Sequence, residues 1–318
     1  MTSIPYIAST IGIGLAATVP LFVSEQYFLF MLSLALIGAI TAVGLNVTNG
    51  YLGILNLSVG GQVAIGAYTC AVLALAGVPV PLAILSGAIG GAITAAIIFL
   101  LFARLVGFFF GLATIAAAEV IRLMVRNLDT LTHGVRGLRG YPKLTESADT
   151  SYWVLLLALA SVLLLVAIIV QSPVGLRWRA IRENRAKALS IGIPVRRLQF
   201  IGFILSGAIM SLGGAFLALL LQYIEPGIAG LNTLVQAVLM VALGGPGTIF
   251  GPVVGALAIT LIPEFLRVAN ELRLVLYGVA LIIVVLAIPG GIVGALAQKL
   301  RTRRRLADTS KYAQSREA

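Results

Sequence analysis

The chain has 318 residues, of which 60% are hydrophobic and only 10% charged, a balance that excludes a water-soluble domain and indicates one polytopic membrane domain. A formal net charge of +11 would suit nucleic-acid binding in a soluble protein, but here it is confined to two places. Residues 171–200 hold seven basic groups against one acidic, residues 298–318 hold seven against two, and the remainder balances at eight of each. The single cysteine, Cys70, excludes an internal disulfide, and the lone His133 excludes a histidine cluster around a metal, so no cofactor is implied.

A first apolar run covers 7–23. No basic segment precedes it and no small-residue cleavage pattern follows, so it is read as a retained span. A second span covers 28–47 and leads to Asn46, Asn49, Gly50 and Gly53. The third, 55–76, is apolar enough to enter a membrane yet carries Asn56, Ser58, Gly60, Gly61, Gln62, Gly66 and Tyr68, so it should face protein or water. A turn at 77–81 opens a fourth span that ends at Phe102, before Arg104. Residues 105–125 are apolar except for Glu119 and Arg122, whose spacing of three puts them on one helical face. A polar stretch, 126–150, separates this fifth span from a sixth at 152–170.

Residues 171–200 contain Arg177, Arg179, Arg182, Arg185, Lys187, Arg196 and Arg197. Each such charge costs about 3 kcal/mol at a bilayer centre even on a lenient scale, so the segment lies in water. Good helix formers without proline or glycine predict a helix over 176–191, with Trp178, Ile181, Ala188 and Ile191 near one face. That face either rests on anionic lipid or docks on a cytoplasmic partner. Gly192 is the expected helix stop, and Pro194 bars continuation. The positive-inside rule puts this segment and the 298–318 tail in the cytoplasm; counting spans then puts the N-terminus inside and 126–150 outside.

Span 201–223 follows. The next stretch, 231–263, holds Gly244-Gly245-Pro246-Gly247 and Gly251-Pro252, so it is two short spans or a re-entrant pair that starts and finishes outside. A last span covers 274–288. The expected fold is therefore all-α: a single transmembrane domain over 1–297 with about ten membrane segments, some broken or re-entrant, and a basic tail over 298–318, disordered at its end.

No phosphate-binding Gly-x-x-x-x-Gly-Lys-[Ser/Thr], no His-Glu-x-x-His and no Gly-x-Ser-x-Gly occurs, which leaves an enzyme reading without support. Four ordered stretches instead resemble one family. Residues 44–69 (GLNVTNGYLGILNLSVGGQVAIGAYT) and 107–138 (GFFFGLATIAAAEVIRLMVRNLDTLTHGVRGL) are similar to segments of the permease subunits of branched-chain amino acid ABC importers, of the LivH/LivM type and its LivM-like branch. Residues 172–192, with AKALSIG at 186–192, resemble the coupling loop of that family, and 243–255 (LGGPGTIFGPVVG) its glycine-rich segment. Two departures stand out: His133 replaces a usual glycine, and the end reads IPGGIVG.

The resemblance implies a permease subunit in a bacterial or archaeal cytoplasmic membrane that moves branched-chain or similar hydrophobic amino acids inward by alternating access. Its implied partners are two cytoplasmic ATP-binding subunits, a second related permease and an external substrate-binding protein. The expected ATPase contacts are Arg179, Ile181, Arg182, Glu183, Asn184, Ala188 and Gly192. The expected substrate path is Asn46, Asn56, Ser58, Gly60, Gly61, Gln62, Tyr68, Thr114, Glu119 and Arg122. Against that, the glycines and Ser58 serve equally for tight helix packing, and Glu119 with Arg122, which could meet the ammonium and carboxylate of a zwitterion, are better read as neutralising each other near the outer interface. Urea, short amides or sugars remain alternative cargoes within the family. An ion-coupled secondary transporter is a further alternative, since broken helices occur there too, but Glu119, the only acid in the first six spans, has Arg122 beside it.

Overall fold

The computed structural model describes residues 26–265. The runs at 7–23 and 274–288 and the tail at 298–318 lie outside the described residues. Among those described, the chain is helical: α1 (Gln26–Asn46), α2 (Val59–Leu75), α3 (Val80–Phe102), α4 (Phe108–Asn127), α5 (Asp129–Thr132), α6 (Ala148–Gln171), α7 (Pro173–Glu183), α8 (Arg185–Ser190), α9 (Val195–Leu221), α10 (Leu231–Gly244) and α11 (Gly251–Phe265). Among the described residues, five helices are long and apolar enough to cross a membrane: Gln26–Leu52, Val80–Phe102, Phe108–Asn127, Ala148–Gln171 and Val195–Leu221. Helices α2, α10 and α11 are apolar but shorter.

Burial follows composition. Helices α1 and α9 are apolar around much of their circumference and form the middle of the bundle, with α2, α6, α10 and α11 packed on them. Helix α3 shows the pattern of a lipid-facing helix, exposing Leu82, Leu85, Ile89, Ile93, Ile97 and Leu100 at helical spacing while Ala83, Gly87, Gly91 and Ala95 face inward. The α2–α3–α9 contact is made by small residues that let backbones touch: Gly66 lies on the carbonyl of Ser211, and Gly214 on that of Val63.

The structure redraws several expected elements. The second span runs on past Asn46 through a π-helical turn, Val47–Leu52, and stops at Gly53, whose φ of +68° suits glycine. The resulting rod of 27 residues is roughly 40 Å long. The third span does not begin at 55: residues 53–58 are outside any helix, and α2 starts only at Val59. The broken stretch over 231–263 is two short helices, α10 and α11, packed on each other and on α1.

The single helix expected over 176–191 is two. Asn184 adopts an extended conformation (φ −157°, ψ 103°) and its side chain accepts the Lys187 backbone N–H at 3.0 Å, so it ends α7 and caps α8. Of the expected apolar stripe, Trp178, Ile181 and Ala188 are buried, but Ile191 is 72% exposed. Gly192 does take the left-handed conformation expected of a helix stop, at φ +79°. Arg196 and Arg197, read as loop, belong to the first turn of α9.

At the opposite end from α7 and α8, two short strands, β1 (Leu138–Arg139) and β2 (Tyr223–Ile224), pair antiparallel, Leu138 with Ile224 and Arg139 with Tyr223. Tyr141 donates to the carbonyl of Ala218 at 3.1 Å, and burial raises its phenol above the ordinary pKa. The polar stretch 126–150 is thereby fastened to the far end of α9.

Candidate functional site

At the basic end, three chain segments distant in sequence meet around Gly50. Asn46, at the last turn of α1, donates through Nδ2 to the carbonyl of Thr248 at 2.8 Å and accepts the Gly247 N–H on Oδ1, also at 2.8 Å. Arg182 of α7 donates through Nη1 to the carbonyl of Gly50 in the π-turn. Gly247, at φ +78°, lies against the same guanidinium, and a side chain there would displace it. The π-turn thus leaves a carbonyl free for the arginine, and the break between α10 and α11 supplies the N–H and carbonyl for the asparagine. Trp178 secures α7 from behind: its indole N–H donates to the carbonyl of Leu198 at 3.2 Å, and its ring lies against Gly202 of α9.

From this hub the chain climbs along α4 without helical hydrogen bonds. Side chains substitute for them. Asn49 Oδ1 accepts the Asn56 N–H at 2.9 Å, Thr114 Oγ1 accepts the Leu57 N–H at 3.0 Å, and Asn56 Oδ1 accepts both the N–H and the hydroxyl of Ser58 at 3.0 and 2.8 Å. Leu55 packs on Gly111 and Gly61 on Ala118, so this stretch rises parallel to α4. Irregular backbone at membrane depth survives only with such partners.

The expected path residues therefore divide. Asn46, Asn56, Ser58, Thr114 and Gln62 are buried, and each has at least one side-chain or backbone bond that holds the irregular segments or the α2–α9 contact; Ser211 donates to the Gln62 carbonyl at 2.6 Å. Gly60 and Gly61 are close-approach glycines, Gly60 against the carbonyls of Ala229 and Gly230. Three buried polar atoms in this set find no hydrogen-bond partner among the described residues: Asn56 Nδ2, Gln62 Nε2 and the Tyr68 hydroxyl. Glu119 and Arg122 stand apart, on the exposed flank of α4, bonded to each other, with Nε to Oε2 at 2.8 Å.

Of the expected coupling residues, Arg179, Arg182, Glu183, Asn184 and Gly192 are exposed on α7, α8 and the turn after them. Ile181 and Ala188 are not surface contacts: both are buried within this chain. Gly50, Gly247 and Thr248 were absent from the expected site. Their signal was present as Asn-Gly and Gly-Gly-Pro-Gly breaks, but nothing in the sequence brings the breaks together.

Apolar helices long enough to cross a bilayer, interrupted at 53–58 and 245–250 and joined to an exposed basic segment, define a polytopic membrane protein. The chain belongs to the family described as "Branched-chain amino acid transport system / permease component", which it matches over residues 27–285. It is 26% identical over 305 residues to the high-affinity branched-chain amino acid transport system permease protein LivM of Escherichia coli, covering 85% of this chain and 71% of that protein. The Salmonella typhimurium LivM protein is likewise 26% identical, over 308 residues and the same shares. A probable ABC transporter permease protein of Sinorhizobium fredii, y4mJ, is 36% identical over 109 residues, 31% of this chain and 32% of its own length. No solved structure matches the chain.

Proposed function

We propose that this chain is the membrane-spanning permease subunit of an ATP-driven importer that carries branched-chain or similar hydrophobic amino acids into the cytoplasm by alternating access. The family and its LivM relatives support the cargo and the class. One observation carries the mechanism: Arg182 of the exposed basic α7 is bonded to Gly50, in the π-turn that ends the α1 rod, and lies against Gly247, in the break between α10 and α11. A push on α7 from outside the bilayer therefore reaches both α1 and the α10–α11 pair.

In this reading two cytoplasmic ATP-binding subunits grip α7 and α8 through Arg179, Glu183, Asn184 and Gly192, a second related permease completes the pore, and a binding protein docks on 126–150 and 224–232. The β1–β2 pairing joins those last two stretches and supports a common docking face. Both termini are cytoplasmic, and about ten segments span or enter the membrane. Cargo passes beside Asn56, Ser58, Gly60, Gly61, Gln62 and Tyr68, where unpartnered polar atoms offer weak hydrogen bonding without a tight site. The test is purification under a tag on this chain, followed by reconstitution. Two ATP-binding polypeptides and a second permease should co-purify, and proteoliposomes should take up branched-chain amino acids only with ATP and binding protein. Uptake driven by an imposed ion gradient alone would overturn the reading.

A further inference from the structure

Glu119 lies eleven residues beyond Phe108 and eight short of Asn127, near the middle of the 20-residue helix α4 rather than at its outer end. At about 1.5 Å per residue it is roughly 12 Å from that end. Its side chain and that of Arg122 are 47% and 27% exposed and point away from the bundle core. Charged groups midway along a helix otherwise rich in Phe, Leu, Ala and Ile are costly in lipid, and even when paired they mostly face a water-filled path or a partner. Beside the pair is a crevice of about 20 Å³, walled by Leu57, Ile115, Ala118 and Leu234 and closed by the turn at 229–231 against Gly60.

We propose that Glu119, Arg122 and this crevice form a recognition site for a zwitterionic hydrophobic amino acid, an inference that rests on the importer reading above. Glu119 takes the ammonium group, Arg122 the carboxylate, and the crevice the apolar side chain. The existing pair is neutral overall, so a ligand carrying both charges exchanges with it without leaving an unpaired ion, whereas a simple amine or simple carboxylate leaves one. At its present size the crevice holds no more than a water molecule. Opening it requires the 229–231 turn to leave Gly60, and that turn begins α10, whose other end meets the Arg182 hub. Site and drive are thus the two ends of one short helix.

The test uses the complete importer in proteoliposomes with its binding protein. Glu119→Gln and Arg122→Gln should each lower uptake about tenfold or more, the effect of losing one charge-assisted contact. ATP hydrolysis stimulated by loaded binding protein should persist in both. The double exchange of Glu119→Arg with Arg122→Glu keeps an ion pair on the helix but reverses its polarity, and should not restore uptake. Ile115→Phe should lower leucine uptake more than valine uptake. Recovery by the double exchange, or single variants equal to wild type, would reduce the pair to a structural bond and overturn the proposal. An unchanged leucine-to-valine ratio would remove the crevice from it. If the wild-type complex imports no amino acid, the importer reading itself falls.

Discussion

Two side chains at the basic end make contacts that a change of one group would expose. Asn46 bonds both Gly247 and Thr248, so Asn46→Ala removes the partner of a part-buried N–H and of a part-buried carbonyl. The expected loss is about 1–3 kcal/mol, read as a lower Tm of the purified complex. Arg182→Lys keeps the charge but not the planar fork that reaches Gly50 while lying along Gly247. Its expected signature is different: the complex assembles and hydrolyses ATP, but amino acid moved per ATP falls several-fold. A wild-type ratio in Arg182→Lys would take Arg182 out of the drive. At this scale the sequence was partly legible. Asn46, Asn56, Gln62 and Thr114 stood out because polar residues are conspicuous in apolar runs, yet their roles were not readable: Thr114 caps Leu57, and Asn46 holds residues 201 and 202 positions away. Partners so remote leave no local pattern.

Among the elements, those defined by backbone chemistry were the ones the sequence declared. Gly244-Gly245-Pro246-Gly247 cannot sustain a helix, and the structure breaks there. Residues 53–58 gave no such warning, since an apolar Leu-Asn-Leu-Ser run is equally at home in a helix; side chains of Asn49 and Thr114 decide its path. The α7–α8 pair shows the same limit. Asn184 mid-segment is an ordinary helix residue until its side chain caps the Lys187 N–H. Asn184→Ala should cost about 1 kcal/mol of cap energy and loosen α8, detectable as faster proteolysis after Arg185 or Lys187. Because Ala188 is buried within the chain, Ala188→Glu tests internal packing, not partner binding. The apolar groups left exposed here are Leu189 and Ile191, at 55% and 72%. Leu189→Asp with Ile191→Asp should leave the permease folded but reduce ATP-binding subunits retained on purification; full retention would return α8 to the lipid surface.

Across the molecule, charge is sorted between two ends that the packing keeps apart. The +6 segment at 171–200 lies at one end, where α7 meets the π-turn and the α10–α11 break, while the mixed-charge stretch 126–150 is tied to β2 at the other. The positive-inside rule favours the cytoplasm for the first end, which carries seven basic groups against one acidic, over the second, which carries four against three. This yields a topology test confined to described residues. Cys70 is fully buried, so it contributes little background, and Cys70→Ala removes even that. In that background, Lys143→Cys should react with an impermeant thiol reagent in intact cells. Leu189→Cys, in the chain expressed without ATP-binding subunits, should react only after the membrane is opened. Both residues are exposed in the structure, so accessibility depends on which side of the bilayer each occupies. Labelling of Leu189→Cys in intact cells would invert the molecule, moving the Arg182 hub away from any cytoplasmic ATPase and ending the proposed route from ATP to α10.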